Sequence, residues 1–178
     1  MRHFVSVLIL AVAAACSEPA SAPSPAPRGE PAPAPIPTVA LDPAKGAVLP
    51  AETAVRLAHQ CSRQSPGPVT GSWAPSPEMI ADLEASLGIE LERRIAATPS
   101  AGVTPQDYYR QYAGLLIGER QVIYVNGIAA RTVEHEKRGD GTWKTEPAMI
   151  CDGGTITFGI EYDPATKSFS NFAFNGRV

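Results

Sequence analysis

The stretch EPAMICDGGTITFGIEYDPATKSFSNFAFNG, residues 146–176, decides the fold. From residue 155 to residue 162, polar or small side chains alternate with large apolar ones. This period of two predicts a strand with one face on a hydrophobic core and the other face in water. The glycines and aspartates directly before and after the run have the chemistry of turns. The stretch therefore predicts three strands joined by two turns.

A second apolar run within the same stretch holds Phe169, Phe172 and Phe174. Phe172 and Phe174 are two positions apart and share a strand face, whereas Phe169 is out of phase with both. We therefore expect an antiparallel return strand with a bulge or a loop residue at Phe169.

Length and charge restrict the class of protein. The chain has 178 residues and a formal net charge of −3. A single domain of modest size is the expectation for this length. Because Lys and Arg are not in excess, neither a nucleic acid nor an anionic membrane surface is expected as a partner.

Residues 1–15 have the features of a secretory signal: a positive start, an apolar run and small residues at the end. The run is too short to span a bilayer as a stable helix. The end of this signal and the next residue, Ala13-Ala14-Ala15-Cys16, resemble the lipobox of bacterial lipoprotein precursors, a family that usually has Leu at the position of Ala13. The resemblance implies that Cys16 becomes the acylated first residue, and that a multi-acyl anchor holds the protein on a membrane.

The same resemblance implies a location in the bacterial cell envelope. Ser17, rather than Asp, follows the cysteine, which by the sorting rule of the family favours the outer membrane, with the protein facing the periplasm. An ordinary secretory signal, cleaved near the same position, is the alternative. The resemblance covers the leader only and implies nothing about activity.

Residues 16–47 form the expected linker. Between residues 17 and 50 the chain holds ten of its eighteen prolines, interspersed with Ala and Ser. This composition does not bury a core, and proline favours extended polyproline II, so we predict a lipid-anchored tether. Residues 48–178 are then the single globular domain, which is large enough for one core.

The strongest helix signal is Ser76-Pro77-Glu78, because Ser is a good N-cap, Pro suits the first helical position and Glu suits the first turn. Five apolar residues then recur at spacings of three and four, which predicts a helix from residue 77 to about residue 97. They are Ile80, Leu83, Leu87, Leu91 and Ile95.

One shorter helix is expected on each side of it. One lies at residues 52–60 and leads into Cys61. The other follows Thr104-Pro105-Gln106-Asp107, where Asp107 can accept a hydrogen bond from the backbone of the cap residue. This second helix would carry residues 108–112 and end near Gly114.

Further apolar runs predict the rest of a sheet. Residues 115–117 and 121–125 flank Gly118-Glu119-Arg120, which favours a tight hairpin or one bulged strand. Residues 131–137 alternate, and residues 143–149 begin a return strand. Together these runs predict an α+β fold, in which two to three N-terminal helices pack on an antiparallel sheet of about four to six strands.

Once Cys16 is assigned to the lipid, Cys61 and Cys151 remain, an even number in an oxidising compartment. We expect them to form one disulfide, with two free thiols as the alternative. The closed loop of about 90 residues would be worth about 4 kcal/mol in the chain-entropy model. A metal site is not expected, because two cysteines without a nearby pair of histidines do not supply the four ligands of zinc.

The most distinctive candidate for an interaction surface combines Tyr108, Tyr109, Arg110 and Tyr112. In a helix, Tyr108 and Tyr112 share a face and Tyr109 lies about 100° away from Tyr108. One tyrosine would therefore be exposed beside Arg110, and Tyr and Arg are typical anchors of protein interfaces. The alternative is that the rings pack on the sheet with their hydroxyls at its rim.

Motifs of catalysis are absent from the sequence. It has no Gly-rich phosphate loop, nucleophile elbow or metalloprotease helix, and its histidines beyond the leader are His59 and His135. No catalytic residue and no cofactor is therefore assigned. A non-catalytic binding or protein-interaction domain at the cell envelope is the leading hypothesis.

Two other functions stay open. One is an inhibitor or immunity protein against a periplasmic or cell-wall hydrolase, with residues 65–71 or 152–155 as the inhibitory loop. The other is a carboxylate-dependent enzyme that acts on peptidoglycan, which would need two acids with separated pKa values in one cleft.

Overall fold

The computed structural model describes residues 39–64, 66–99, 101–135 and 141–176. Within these ranges the chain forms three α-helices and a six-stranded mixed sheet, so the expected α+β fold is confirmed. The strands are β1 (Gly46–Val48), β2 (Val69–Trp73), β3 (Tyr108–Ile117), β4 (Arg120–Ala129), β5 (Thr157–Asp163) and β6 (Ser168–Phe174). The helices are α1 (Ala51–Ala54), α2 (Pro77–Ala96) and α3 (Ala130–His135).

The hairpin of β3 and β4 forms the centre of the sheet. Ten residue pairs join the two strands, from Tyr108 opposite Ala129 to Ile117 opposite Arg120. Gly118 in the turn has a φ of 61°, a left-handed conformation that glycine adopts at low cost. The tight hairpin, one of the two predictions for this segment, is therefore correct. From β4 the sheet continues to β5 and then to β6, both in antiparallel pairing.

The other edge of β3 pairs with two short strands. β1 lies parallel to its first half, with Gly46 opposite Arg110 and Val48 opposite Tyr112. β2 lies antiparallel to its second half. The sheet is thus antiparallel except at β1, whereas the sequence predicts a purely antiparallel sheet. β1 is absent from that prediction because it begins within residues 16–47, the expected linker. Residues 39–47 belong to the folded domain.

Helix α2 covers one face of the sheet. Its apolar stripe packs against side chains of the three central strands, among them Tyr112, Val125 and Ile160. The helix begins as predicted, since the side chain of Ser76 accepts a hydrogen bond from the N–H of Met79 at 3.3 Å. This face holds the larger part of the hydrophobic core.

The opposite face of the sheet is covered as well. Helices α1 and α3, a 3₁₀ helix at Val55–His59 and the chain around Trp143 lie over it. Thr157 and Glu161 of β5, which alternation predicted to face water, are therefore only 1% and 2% exposed. Alternation reveals which side chains share a face, but it does not reveal what covers that face.

Strand β6 contains a bulge, as expected, but it lies between Ser170 and Ala173 and not at Phe169, which pairs regularly with Tyr162. Its pairing with β5 shifts in register between Gly159 and Glu161. Because a bulge inserts one unpaired residue, side chains on either side of it return to the same face. Phe169, Phe172 and Phe174 consequently all pack on the core that α2 covers.

The predicted helix at residues 108–112 is wrong, because these residues form the start of β3. The start signal at Thr104 yields only the 3₁₀ turn Pro105–Asp107. Pairing with β4 along ten positions outweighs the local preference of a short segment, since tertiary context routinely overrides propensity.

Two predicted strands are also wrong. Residues 131–135, which alternate, lie in α3, and Trp143 lies in the 3₁₀ helix Thr142–Lys144. Both segments cover the sheet instead of extending it, and each contributes a buried side chain, Val133 and Trp143, to one cluster. Residues 136–140 lie outside the described residues.

The disulfide between Cys61 and Cys151 is confirmed, with an S–S distance of 2.05 Å. Within the four described ranges, no helix has the length and apolar character needed to cross a membrane. The predicted signal, residues 1–15, and the predicted lipidation site, Cys16, lie outside those ranges.

Candidate functional site

The backbone beside the disulfide is held from two sides. Cys61 is bonded to Cys151, and the hydroxyl of Ser62 accepts a hydrogen bond from the N–H of Asp152 at 3.0 Å. The carbonyl of Ser62 accepts a second bond from the N–H of Gly176 at 3.2 Å. These contacts fix the position from which the side chain of Arg63 enters the protein.

Arg63 is a buried cation whose partners are neutral. It is 9% exposed. Its Nε donates to the hydroxyl of Tyr124 at 2.7 Å, and its two terminal nitrogens donate to the Oδ1 atoms of Asn175 and Asn126, each at 2.5 Å. Three neutral oxygens compensate for part of the lost hydration, but they do not cancel the charge.

A polar network fixes the orientation of these partners. The Nδ2 of Asn126 donates to Gln111 Oε1 at 2.9 Å and to the carbonyl of Ala148 at 3.0 Å, so its oxygen is directed to Arg63. The Nδ2 of Asn175 donates to the carbonyl of Ile150, with the same result. Because the amides are held by other bonds, the guanidinium is positioned before any ligand arrives.

A buried carboxylate lies in the neighbourhood of Arg63. Glu161 is 2% exposed and pairs across β4 and β5 with Tyr124, so the two side chains share a face. Its Oε2 accepts a hydrogen bond from Nδ2 of Asn171 at 2.9 Å. The carboxylate and the guanidinium therefore belong to the same side of the sheet.

Asn171 owes its position to the bulge in β6. Its φ is 54°, a left-handed conformation that costs a non-glycine residue about 1–2 kcal/mol. Bulges are frequent next to functional sites, where they redirect a side chain. Here the bulge directs the amide of Asn171 to Glu161.

Arg63 and Glu161 line one cavity of about 480 Å³. Its lining residues are Ser62, Arg63, Gln64, Gly67, Glu161, Asn171, Phe172, Ala173 and Phe174. We call it the Arg63 cavity. Its volume lies within the range of about 300–1,000 Å³ that is usual for small-molecule sites. It offers a cation, a carboxylate and an amide, which is a set of binding groups.

A second, apolar cavity of about 630 Å³ lies between the N-terminal segment, β1 and α2. Its walls are mainly small and aliphatic residues, and its polar members include Tyr112 and Glu84. Glu84 forms an ion pair with the buried Arg110, with 3.0 Å between Oε1 and Nε. Because that charge pair is already complete, this cavity offers less chemistry for recognition than the Arg63 cavity.

The predicted interaction surface does not exist as an exposed patch. Tyr108, Arg110 and Tyr112 are 0%, 0% and 2% exposed, because alternate residues of β3 point to the core under α2. Tyr109 points to the other face, where its ring lies 4.8 Å from that of Trp143. The alternative, that the rings pack on the sheet, describes Tyr108 and Tyr112.

The pKa of Tyr108 is shifted from its ordinary value. Burial raises its pKa above the ordinary value for tyrosine, and its hydroxyl donates to the carbonyl of Thr155 at 2.5 Å. This hydroxyl is part of the core and lines neither the Arg63 cavity nor the apolar one.

Sequence reasoning missed Arg63, Glu161 and Asn171. One signal was available for Arg63, since it is a cation two positions after a cysteine with a predicted disulfide, in a segment that must therefore lie against the sheet. Glu161 can be recognised as a site residue only when the helices that cover the face of the sheet opposite α2 are known. Among the described residues, no group of three or more His, Cys, Asp or Glu side chains could hold a metal ion.

Comparison of the chain with protein-family models, with curated proteins and with solved structures finds no match.

Proposed function

We propose that this protein is a non-catalytic binding domain of the bacterial cell envelope, and that it holds a small ligand in the Arg63 cavity. The observation that carries the proposal is the buried guanidinium of Arg63, which is bonded to three neutral side chains and borders a cavity of about 480 Å³. A desolvated charge is costly unless an opposite charge balances it. An anionic group of the ligand would bond to the guanidinium directly.

The preorganisation of the site supports binding. The amides around Arg63 are held by the bonds of Gln111, Ala148 and Ile150, and the backbone is held by the disulfide of Cys61. A site that does not have to be ordered on binding loses less conformational entropy, which increases affinity.

The location belongs to the same proposal. The lipobox-like Ala13-Ala14-Ala15-Cys16 motif supports a lipid anchor on Cys16, with the domain at the outer membrane and facing the periplasm. The disulfide is consistent with an oxidising compartment. Replacement of Cys16 by Ser should move the protein from the membrane fraction to the soluble fraction and abolish labelling with palmitate. Unchanged membrane association of this variant would contradict the anchor.

The two other functions remain predictions. For a carboxylate enzyme, the Arg63 cavity contains one acid, Glu161, among its described lining residues, whereas the chemistry needs two. For an inhibitor, neither predicted loop is distinguished by a contact that points to a hydrolase.

Binding is tested by thermal unfolding of the full chain with a panel of amino acids, short peptides and sugars. A compound that binds the folded state raises Tm. The Gly67→Trp variant should lose this rise because Gly67 lines the cavity, and a Cβ on it meets only Ile117 Cγ2, at 3.6 Å.

Ala85→Trp is the matched control, since Ala85 lines the apolar cavity instead and the ligand-induced rise should persist. If no compound raises Tm, or if Gly67→Trp responds as the wild type does, the Arg63 cavity is not the binding site. A response lost only in Ala85→Trp would move the site to the apolar cavity.

A further inference from the structure

We infer that the disulfide between Cys61 and Cys151 is a redox switch for the Arg63 cavity. Reduction by a protein dithiol would release the segment that carries Arg63, so that the cavity loses the cation on which binding depends. This inference rests on the proposed function and adds the regulation of the site to it.

The disulfide is accessible to a reductant. Cys61 and Cys151 are both exposed, and neither lies in a helix or a strand. Thiol–disulfide exchange requires that a thiolate reaches one of the two sulfurs, and exposed disulfides are the ones that are reduced most readily. The bond therefore lies where an external dithiol can attack it.

The disulfide is the covalent part of the attachment that holds Arg63 in place. Residues 60–64 lie in no helix or strand, so no ladder of backbone bonds joins them to the sheet. Beside the disulfide, Ser62 accepts hydrogen bonds from the N–H groups of Asp152 and Gly176, at 3.0 Å and 3.2 Å. After reduction, noncovalent contacts alone hold the segment in place.

The side chain of Arg63 favours opening of the segment. Its guanidinium is 9% exposed and donates to the neutral side chains of Tyr124, Asn126 and Asn175. A buried cation has lost hydration that neutral acceptors restore only in part, and an opened segment would return this cation to water. The disulfide opposes opening because it limits the conformations of the released chain. Its reduction therefore raises the population of the open form.

The effect of reduction is confined to the site. The strands pair with one another through residues outside the segment 60–64, and the larger part of the core lies on the opposite face of the sheet, under α2. Breaking the disulfide thus removes no strand pair, and the sheet with α2 remains folded. Local opening on a stable scaffold is what a redox-sensitive switch requires.

The reaction is a thiol–disulfide exchange in two steps. A thiolate of the reductant attacks one sulfur, the bond between Cys61 and Cys151 breaks, and the released cysteine thiolate takes up a proton. The second thiol of the reductant then attacks the mixed disulfide, which frees the other cysteine and leaves the reductant as a disulfide. Two electrons and two protons pass from the dithiol to the protein, and a protein disulfide that accepts them back reverses the change.

The first test measures the reactivity of arginines and needs no ligand. The full chain is treated with phenylglyoxal before and after reduction by dithiothreitol, and the modification of each arginine is followed by mass spectrometry. Reduction should raise the rate at Arg63 about ten-fold or more, because a buried group reacts through its open form. Arg110, which is 0% exposed and is paired with Glu84, is the matched control and should not change.

The Cys61→Ser/Cys151→Ser variant excludes an effect of dithiothreitol itself. Without reductant its Arg63 should react as in the reduced wild type, and dithiothreitol should leave that rate unchanged. The switch is wrong if Arg63 of the wild type, with both cysteines shown to be free thiols, reacts no faster than in the oxidised protein. It is also wrong if Arg63 and Arg110 gain reactivity together, because the protein then unfolds as a whole.

The second test separates this inference from the proposed function. The compound that raises Tm most in the panel of amino acids, peptides and sugars is titrated into the oxidised and the reduced protein by calorimetry. If reduction lowers the closed fraction of the segment to about a tenth, the apparent affinity falls about ten-fold. Equal affinities of the two forms would overturn the regulation and leave the binding site intact. If no compound binds the oxidised protein, the proposed function itself fails, and the regulation of binding fails with it.

Discussion

The guanidinium of Arg63 lies directly over Gly159, so that a Cβ on Gly159 would come within 2.8 Å of Nε and would also overlap the hydroxyl of Tyr124. The absence of a side chain on Gly159 is thus what leaves room for the buried cation. Replacement of Gly159 by Ala should lower the free energy of unfolding by about 1–3 kcal/mol, the usual cost of overpacking. Urea unfolding of the full chain measures the change.

A glycine that lines the Arg63 cavity, Gly67, provides the control. A Cβ on Gly67 meets Ile117 Cγ2 at 3.6 Å, an ordinary van der Waals separation. Gly67→Ala should therefore change the free energy of unfolding by less than about 0.5 kcal/mol. Equal effects of the two substitutions would contradict the close packing of Arg63 on Gly159.

The disulfide should contribute strongly to stability because it joins residues 90 positions apart. The double variant Cys61→Ser/Cys151→Ser should lose about 2–5 kcal/mol of unfolding free energy. Reductant should destabilise the wild type to a similar extent and leave the variant unchanged. Equal urea midpoints of the wild type with and without reductant, with the thiols titrated to prove reduction, would overturn this expectation.

Sequence reasoning succeeded where the physical signal is local. Helix α2 was predictable because Ser76 as the cap, Pro77 at the first turn and a stripe of five apolar residues all indicate the same element. The hairpin around Gly118 was predictable for the same reason, since the turn residue and the flanking apolar runs agree.

It failed where a tertiary contact decides. Residues 108–112 carry a helix start signal before them, yet they are paired with β4. β1 has three residues and is a strand only because β3 lies beside it. Arg63 and Glu161 form a site because a second layer covers the sheet, and no pattern within either segment specifies that layer.

The ion pair between Arg110 and Glu84 should be important for stability. Arg110 is fully buried, and its Nε lies 3.0 Å from Oε1 of Glu84. Glu84→Ala would leave a buried cation without its carboxylate, so we expect the free energy of unfolding to fall by about 3 kcal/mol. Urea unfolding measures this loss.

The same helix offers a matched control for Glu84. Asp82 forms an ion pair with Lys167 at 2.8 Å, but both side chains are more than half exposed, at 55% and 66%. Exposed pairs contribute little because water and salt screen them. Asp82→Ala should therefore have a far smaller effect than Glu84→Ala, and equal losses from the two variants would disprove the role of burial.

Tyr108 should make the protein sensitive to alkaline pH. Burial raises its pKa in the folded state above the value of about 10 in the unfolded chain. The folded state therefore holds the proton more tightly, so its stabilising effect is complete below about pH 10 and is lost as the pH rises through the folded pKa.

The Tyr108→Phe variant tests this pH dependence. Above about pH 10 its unfolding free energy should fall less steeply than that of the wild type. Burial raises the pKa of Tyr162 as well, so part of the decline should remain in the variant. Tyrosinate absorbance in the ultraviolet, followed on the folded protein, should reveal one fewer late-titrating tyrosine. Identical alkaline slopes for both proteins would exclude Tyr108 as the cause.

The left-handed backbone of Asn171 should be a measurable source of strain at the Arg63 cavity. Its φ is 54°, a conformation that glycine adopts without penalty and alanine does not. Asn171→Gly and Asn171→Ala both remove the hydrogen bond to Glu161, so the difference between them reports the backbone alone. We expect the Ala variant to be less stable than the Gly variant by about 1 kcal/mol, as measured by urea unfolding. If Ala and Gly are equally stable, the bulge in β6 accommodates a side chain freely, and the position of Asn171 needs another explanation.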